Sequence, residues 1–231
     1  MKKVLSVAAP IMLSYIPLGL AAGILANKCG IGPALAFFMS VTLITGGGQF
    51  MISNLWIMGL PPLSIVASVG ALSLRFALYS ASLAPYLQKT SKRMSLALSY
   101  TLIEEAYGVT LAKFSEGQTS WTYNHALALN VVTILTWAVA NAAGSAIGNI
   151  VDIPTALASF VMTSLFICLL WTQLGSRNNL VAAGSAALCV VALKLAGLSN
   201  VAVPIAAVEV VACAFVASGS SETNAEEGEA A

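Results

Sequence analysis

Apolar residues fill this chain in long blocks, at 4–26, 34–58, 62–86, 95–113, 126–148, 154–174, 179–197 and 201–217. A helix needs ~20 mostly apolar residues to cross the hydrocarbon of a bilayer, so the blocks predict an all-α, polytopic membrane helix bundle of about 6–8 hydrophobic segments. Polar connections fall at 27–32, 88–93, 115–124 and 175–179. Residues 1–217 read as one membrane transport domain, and 218–231, rich in Ser, Glu, Gly and Ala, as a disordered acidic tail. Met-Lys-Lys ahead of an apolar run resembles a secretory signal, but block 4–26 exceeds a signal core and holds Pro10 and Pro17, which suits a packed first span.

Composition sharpens the picture. Hydrophobic residues make up 58% of the chain and charged residues 8%, against about 25% charged in an ordinary soluble domain. That leaves too little polar surface to cover a water-soluble globule. The four cysteines show no CxxC or Cys/His spacing and read as small hydrophobes. Neither a GxxxxGK[ST] loop nor an HExxH pair occurs, which argues against an ATP-driven pump and a zinc protease; no enzyme activity, cofactor or metal is expected.

Residues 27–43 align without gaps on residues 149–165 with seven identities in seventeen positions, giving candidate repeats over 1–115 and 123–217. Repeats of this kind build secondary transporters, whose broken helices form the solute site near the midplane. Lys2 and Lys3, and Lys89, Lys92 and Arg93, are the densest basic clusters, and the positive-inside rule places both in the cytoplasm. One of the first three blocks should then not cross fully. The second is the candidate, because Gly46-Gly47-Gly48 invites a break in it. With blocks two and six re-entrant, six basic residues fall inside and Lys28, Lys113 and Lys194 outside, and the repeats are inverted. The competing reading has block two span normally, its glycines packing against a neighbour.

Charges inside the hydrocarbon cost at least ~2.5–3.5 kcal/mol each, so each needs a reason. Arg75 sits too deep in its block to reach water and should pair with a carboxylate or bind an anion. Glu104 and Glu105, in the middle of block four, point about 100° apart on a helix and cannot serve one partner. One is expected to pair with Arg75 and the other to line a wet cavity and exchange protons; the bland alternative is a static salt-bridge network. Gln49, after the glycines, brings amide groups to a freed backbone, which suits recognition of a zwitterion, or else simple close packing. Glu209 has no basic residue in its own block, His125 reads as interfacial, and Trp121, Tyr123 and Trp137 read as interface or packing aromatics.

The order LSYIPLGLAAGILANKCGIGPALAFFMS, GGGQF, RFALYSASLAPYL and YTLIEEAYG resembles the AzlC family, the large subunits of branched-chain amino-acid exporters. The resemblance implies a permease of the cytoplasmic membrane that acts with a small AzlD-like membrane subunit, and it adds Tyr79 to the site candidates Gly46, Gly47, Gly48, Gln49, Arg75, Glu104 and Glu105. Departures are informative. Ser73 and Phe76 stand where the family pattern has an acid or amide and a histidine, and Ile103 stands where its T-D-E motif has threonine. The expected function is export of branched-chain or similar hydrophobic amino acids with proton coupling; a passive channel and a non-transporting scaffold are the alternatives.

Overall fold

The computed structural model describes residues 2–115, 121–150 and 177–197, with isolated positions between 160 and 209. Among them are eight helices: α1 (Lys2–Lys28), α2 (Pro33–Thr42), α3 (Gly46–Ile57), α4 (Pro62–Leu87), α5 (Lys92–Tyr100), α6 (Glu104–Ser115), α7 (Tyr123–Gly148) and α8 (Arg177–Leu195). No strand occurs among the described residues. The architecture is an all-α membrane bundle. The acidic tail and most of blocks six and eight lie outside the described residues.

The chain divides into two compact units, Met1–Met58 with Ser73–Val161, and Gly59–Leu72 with Met162–Ala231. The second holds the start of α4 and α8, whose Val181, Leu188 and Leu195 side chains are exposed. The first holds both hairpins and the candidate site.

Three helices, α1, α4 and α7, are long and apolar enough to cross a membrane. At 26 or 27 residues each, they reach about 39–40 Å, more than the ~30 Å of hydrocarbon. Their outward residues are apolar and bare, Leu13 at 73% and Leu78 at 68% exposure, as lipid contact requires.

Helices α1 and α7 lie side by side and run in the same direction. Asn27 donates to Asn149 Oδ1 at 2.8 Å where both helices end, and Tyr15 meets Trp137 at 5.3 Å near their middles. Two Gly-x-x-x-Gly pairs, Gly19/Gly23 and Gly144/Gly148, bring the backbones together. A Cβ at Gly23 would sit 1.9 Å from the Asn141 carbonyl oxygen, and one at Gly144 would sit 2.1 Å from that of Leu20. Only glycine fits this crossing.

Block two enters and leaves the bundle on one side. The Ile31 carbonyl, before α2, accepts from Ser145 near the C-terminal end of α7. The Ser53 carbonyl, late in α3, accepts from Cys29 just past the end of α1. Between them the turn at Leu43–Thr45 is deeper, since Gly46 abuts the Trp137 ring. Helices α2 and α3 therefore form a re-entrant hairpin, and the break falls just ahead of the glycines instead of on them. Thr45 caps the new helix, its hydroxyl accepting from Gly48 N at 3.1 Å. Gly46, Gly47 and Gly48 become its first turn.

Block four, read from hydropathy as one span, is a second hairpin. Thr101, whose hydroxyl bonds back to the Ala97 carbonyl at 2.6 Å, ends α5. Glu104 and Glu105 then open α6. The start of α5 follows the foot of α4, and Leu98 and Leu102 pack with Leu83, Leu87 and Ala126. Helix α6 returns to the same end, where Phe114 lies 5.6 Å from Tyr123 and 6.2 Å from Tyr86. Helices of 9 and 12 residues reach only about 14 and 18 Å, so neither arm spans alone.

One correction follows. Lys113 ends up beside the start of α7 with Lys2, Lys3, Lys89, Lys92 and Arg93, and of the terminal basic residues of this unit Lys28 alone lies at the opposite end. The basic bias is thus stronger than block four read as a crossing implies. Most of the second candidate repeat, 123–217, lies outside the described residues. Within the first, α1–α3 is one span with a hairpin at its far end, and α4–α6 is the same plan turned over.

Labelling of single cysteines in a cysteine-free protein checks this arrangement. Gln88→Cys and Ser115→Cys should react from the same side as the N-terminus, and reaction of Ser115→Cys from the opposite side would defeat the second hairpin. Gly144→Ala should lower stability by about 1–3 kcal/mol through overpacking. Gly184→Ala, with nothing within 4 Å of the added carbon, should be neutral or stabilising by up to about 1 kcal/mol; thermal unfolding in detergent compares the two.

Candidate functional site

The tips of the two hairpins meet inside the first unit. Tyr100, at the end of α5, donates through its hydroxyl to the Thr42 carbonyl at the end of α2, 3.2 Å away. Each hairpin thus starts its second arm at the same depth, and the N-termini of α3 and α6 each follow four residues after this contact. A helix N-terminus presents free N–H groups and the positive end of the backbone dipole.

The α6 end is filled by its own carboxylates. Glu104 takes an ion pair from Arg75 Nη1 of α4 at 2.8 Å, with 21% and 26% of the two side chains exposed. Glu105, one residue on and turned away, accepts the hydroxyl proton of Tyr15 from α1. The two acids are held from opposite sides by the middles of two long helices. Arg75 also lies 5.3 Å from the Phe76 ring. Tyr79, one turn along α4, stacks on Tyr107 at 4.4 Å, and Tyr107 bonds to Ser82 at 2.8 Å. These contacts fix α6 against the C-terminal half of α4.

The α3 end is built differently. Gln49 is 2% exposed, and its Oε1 accepts from Ser40 Oγ at 3.1 Å, Trp137 Nε1 at 3.0 Å and Asn141 Nδ2 at 2.6 Å. An indole nitrogen can only donate, so the amide orientation is set. All three donors converge on one oxygen, two of them from α7, and through them Gln49 ties the hairpin to that helix. Gly46 and Gly47 remain half-buried at the tip. Gly46 lets the Trp137 ring close in, since a Cβ there would lie 3.1 Å from it.

Sequence reasoning did not find Tyr15, Asn130 or Asn141. Tyr15 is ninety residues from Glu105, and no local spacing announces it. The asparagines did leave a signal: both interrupt an apolar run, and eleven residues apart they return to one helix face, about 20° off. Asn141 serves the first hairpin and Asn130, 3.1 Å from Thr101 Oγ1, serves the second. No cluster of metal-ligating side chains occurs among the described residues. His125 caps α7, its Nδ1 accepting from Thr122 N at 3.2 Å.

Residues 10–151 match the family model described as AzlC protein, more than half of the chain. The chain belongs to the AzlC family. The matched region contains both hairpins, α4, α7, all but the first eight residues of α1 and every residue of the site above. Among relatives, the chain is 26% identical over 219 residues to "Inner membrane protein YgaZ" of Escherichia coli (strain K12), covering 88% of this chain and 83% of that protein. It is 27% identical over 211 residues to an "Uncharacterized membrane protein" of Archaeoglobus fulgidus, covering 89% and 91%. No solved structure matches. AzlC proteins are a transporter-type membrane family.

The Arg75–Glu104 pair gives a direct test. Arg75→Ala leaves a carboxylate uncompensated at mid-depth and should cost on the order of 2 kcal/mol, below the figure for a fully buried pair because both side chains are partly exposed. The Arg75→Ala/Glu104→Ala double variant should recover part of that loss, whereas Arg75→Ala/Glu105→Ala should not. Additive losses in both cycles, read by unfolding in detergent, would remove the pair as a stabilising unit.

Proposed function

We propose that this AzlC protein is a secondary carrier of the cytoplasmic membrane that exports branched-chain or similar hydrophobic amino acids, coupled to protons through Glu105. The observation that supports the reading is the Tyr100–Thr42 contact, which sets two half-helix N-termini at the same depth, one carrying two carboxylates and the other carrying none. The N–H groups of Gly46 and Gly47 in the first turn of α3, with the helix dipole behind them, suit the carboxylate of a zwitterion. The Thr101 and Leu102 carbonyls at the break, together with Glu105, suit its ammonium; the Ile103 carbonyl is taken by the Tyr107 N–H. The Tyr79 and Tyr107 rings offer an apolar wall for an aliphatic side chain.

The two acids divide their work by their partners. Glu104 is neutralised by Arg75 and holds the bundle, so its charge is fixed in use. Glu105, whose partner among the described residues is the Tyr15 hydroxyl, is the acid assigned to proton coupling, because a hydroxyl donor can be given up. The carrier acts with a small AzlD-like membrane subunit, as the family resemblance implies.

Counterflow of labelled leucine in proteoliposomes, with and without the small subunit, tests the proposal. A carrier shows trans-stimulation, a channel does not, and a scaffold moves nothing. Glu105→Gln should keep leucine–leucine exchange, which needs no net proton movement, and lose accumulation driven by a pH gradient by about tenfold or more. Equal loss of both activities would return Glu105 to a structural role.

A further inference from the structure

One side chain that neither the carboxylate pair nor the family motifs include links the first hairpin tip to the acid of the second through α1. Trp137 of α7 is 7% exposed, touches the first tip directly and reaches the second by way of Tyr15. Toward the first, its indole N–H donates to Gln49 Oε1 at 3.0 Å, its ring lies against Gly46, and Phe50 meets it edge-on at 6.3 Å. Toward the second, it packs at 74° on Tyr15 with ring centroids 5.3 Å apart, and Tyr15 donates to Glu105. Gln49, Trp137, Tyr15 and Glu105 thus form one unbroken line of contact through the bundle.

We propose that Trp137 is the positioning residue that makes Glu105 sensitive to what happens at the α3 N-terminus. The mechanics follow from what each atom is tied to. The indole cannot slide along its own plane, because its N–H is held by an oxygen that also takes Ser40 and Asn141. Gly46 has no side chain to cushion a shift of the first turn of α3, so the turn bears directly on the ring. Phe50 belongs to α3 and moves with it, so the Tyr15 ring on α1 takes up the displacement, and its hydroxyl carries it to Glu105. Among the described residues, the other charged groups near that carboxylate are Arg75 of α4 and Glu104 of α6, which hold each other. The Tyr15 hydroxyl is therefore the variable contact. The use of this line in proton coupling rests on the carrier reading above, but its existence does not.

Spectroscopy separates positioning from plain packing. The chain has four tryptophans, so replacing Trp56, Trp121 and Trp171 by Phe leaves Trp137 as the single reporter in the purified full chain. Glu105→Gln should then shift the Trp137 emission peak, and the shift should vanish when Tyr15→Phe is already present. In proteoliposomes Trp137→Phe, which keeps an aromatic ring and removes the N–H, should leave the KM for leucine exchange within about threefold. It should lower pH-driven accumulation by about tenfold, the scale of one lost hydrogen bond in a coupled line. Emission that ignores Glu105→Gln, or responds equally with and without the Tyr15 hydroxyl, overturns the proposal. Absence of leucine exchange in the parent protein would instead sink the carrier reading and leave the fluorescence result to decide the line of contact.

Discussion

A backbone inside a bilayer has no water to fall back on, so every helix end placed at mid-depth must find partners within the protein. This chain breaks two helices there, at Leu43–Thr45 and Thr101–Ile103, and the remaining architecture follows from satisfying those ends. Thr45 caps one new helix. Tyr100 reaches across to the carbonyl at the end of α2. Helix α7 supplies one asparagine to each hairpin, on one face and three turns apart. The charged residues sit where they do for the same reason, since acids at a helix start are favoured by its dipole and Arg75 and Tyr15 offset what remains of their burial.

The hairpins are held with different firmness. The first is fastened by the convergence on Gln49 and by backbone contact with α1 and α7. The second leans on polar tips: an ion pair, a phenol and one asparagine.

Legibility in the sequence tracked the range of each signal. Helices α1, α4 and α7 were plain from block length, and the basic clusters required one of the first three blocks to turn back, with the glycine triplet pointing to the second. Hydropathy hid the second break because Thr101-Leu102-Ile103 is as apolar as the arms around it. Thr-x-x-Glu at 101–104 nevertheless spells a helix start, and reading it would have moved Lys113 to the basic side. The glycine triplet was correctly tied to a break but given the wrong part in it, since the cap is Thr45 and the glycines make room for an indole. Arg75 and its need for a carboxylate were readable from cost alone. Tyr15 was not, because a phenol in an apolar helix is ordinary until the fold carries an acid to it.

The parallel seating of α1 on α7 also bears on how the protein is made. The face of α1 holding Gly19 and Gly23 is shaped for one neighbour, and that neighbour's Gly144 is 121 residues later in the chain. At synthesis rates of ~5–20 residues per second, α1 waits about 6–24 s in the bilayer before its mate emerges. A notch of small residues binds lipid chains poorly and other helices readily. Nascent α1 is therefore open to wrong pairings for most of translation, and the insertion machinery, or the tether through the first hairpin, has to keep that surface unspent until α7 arrives.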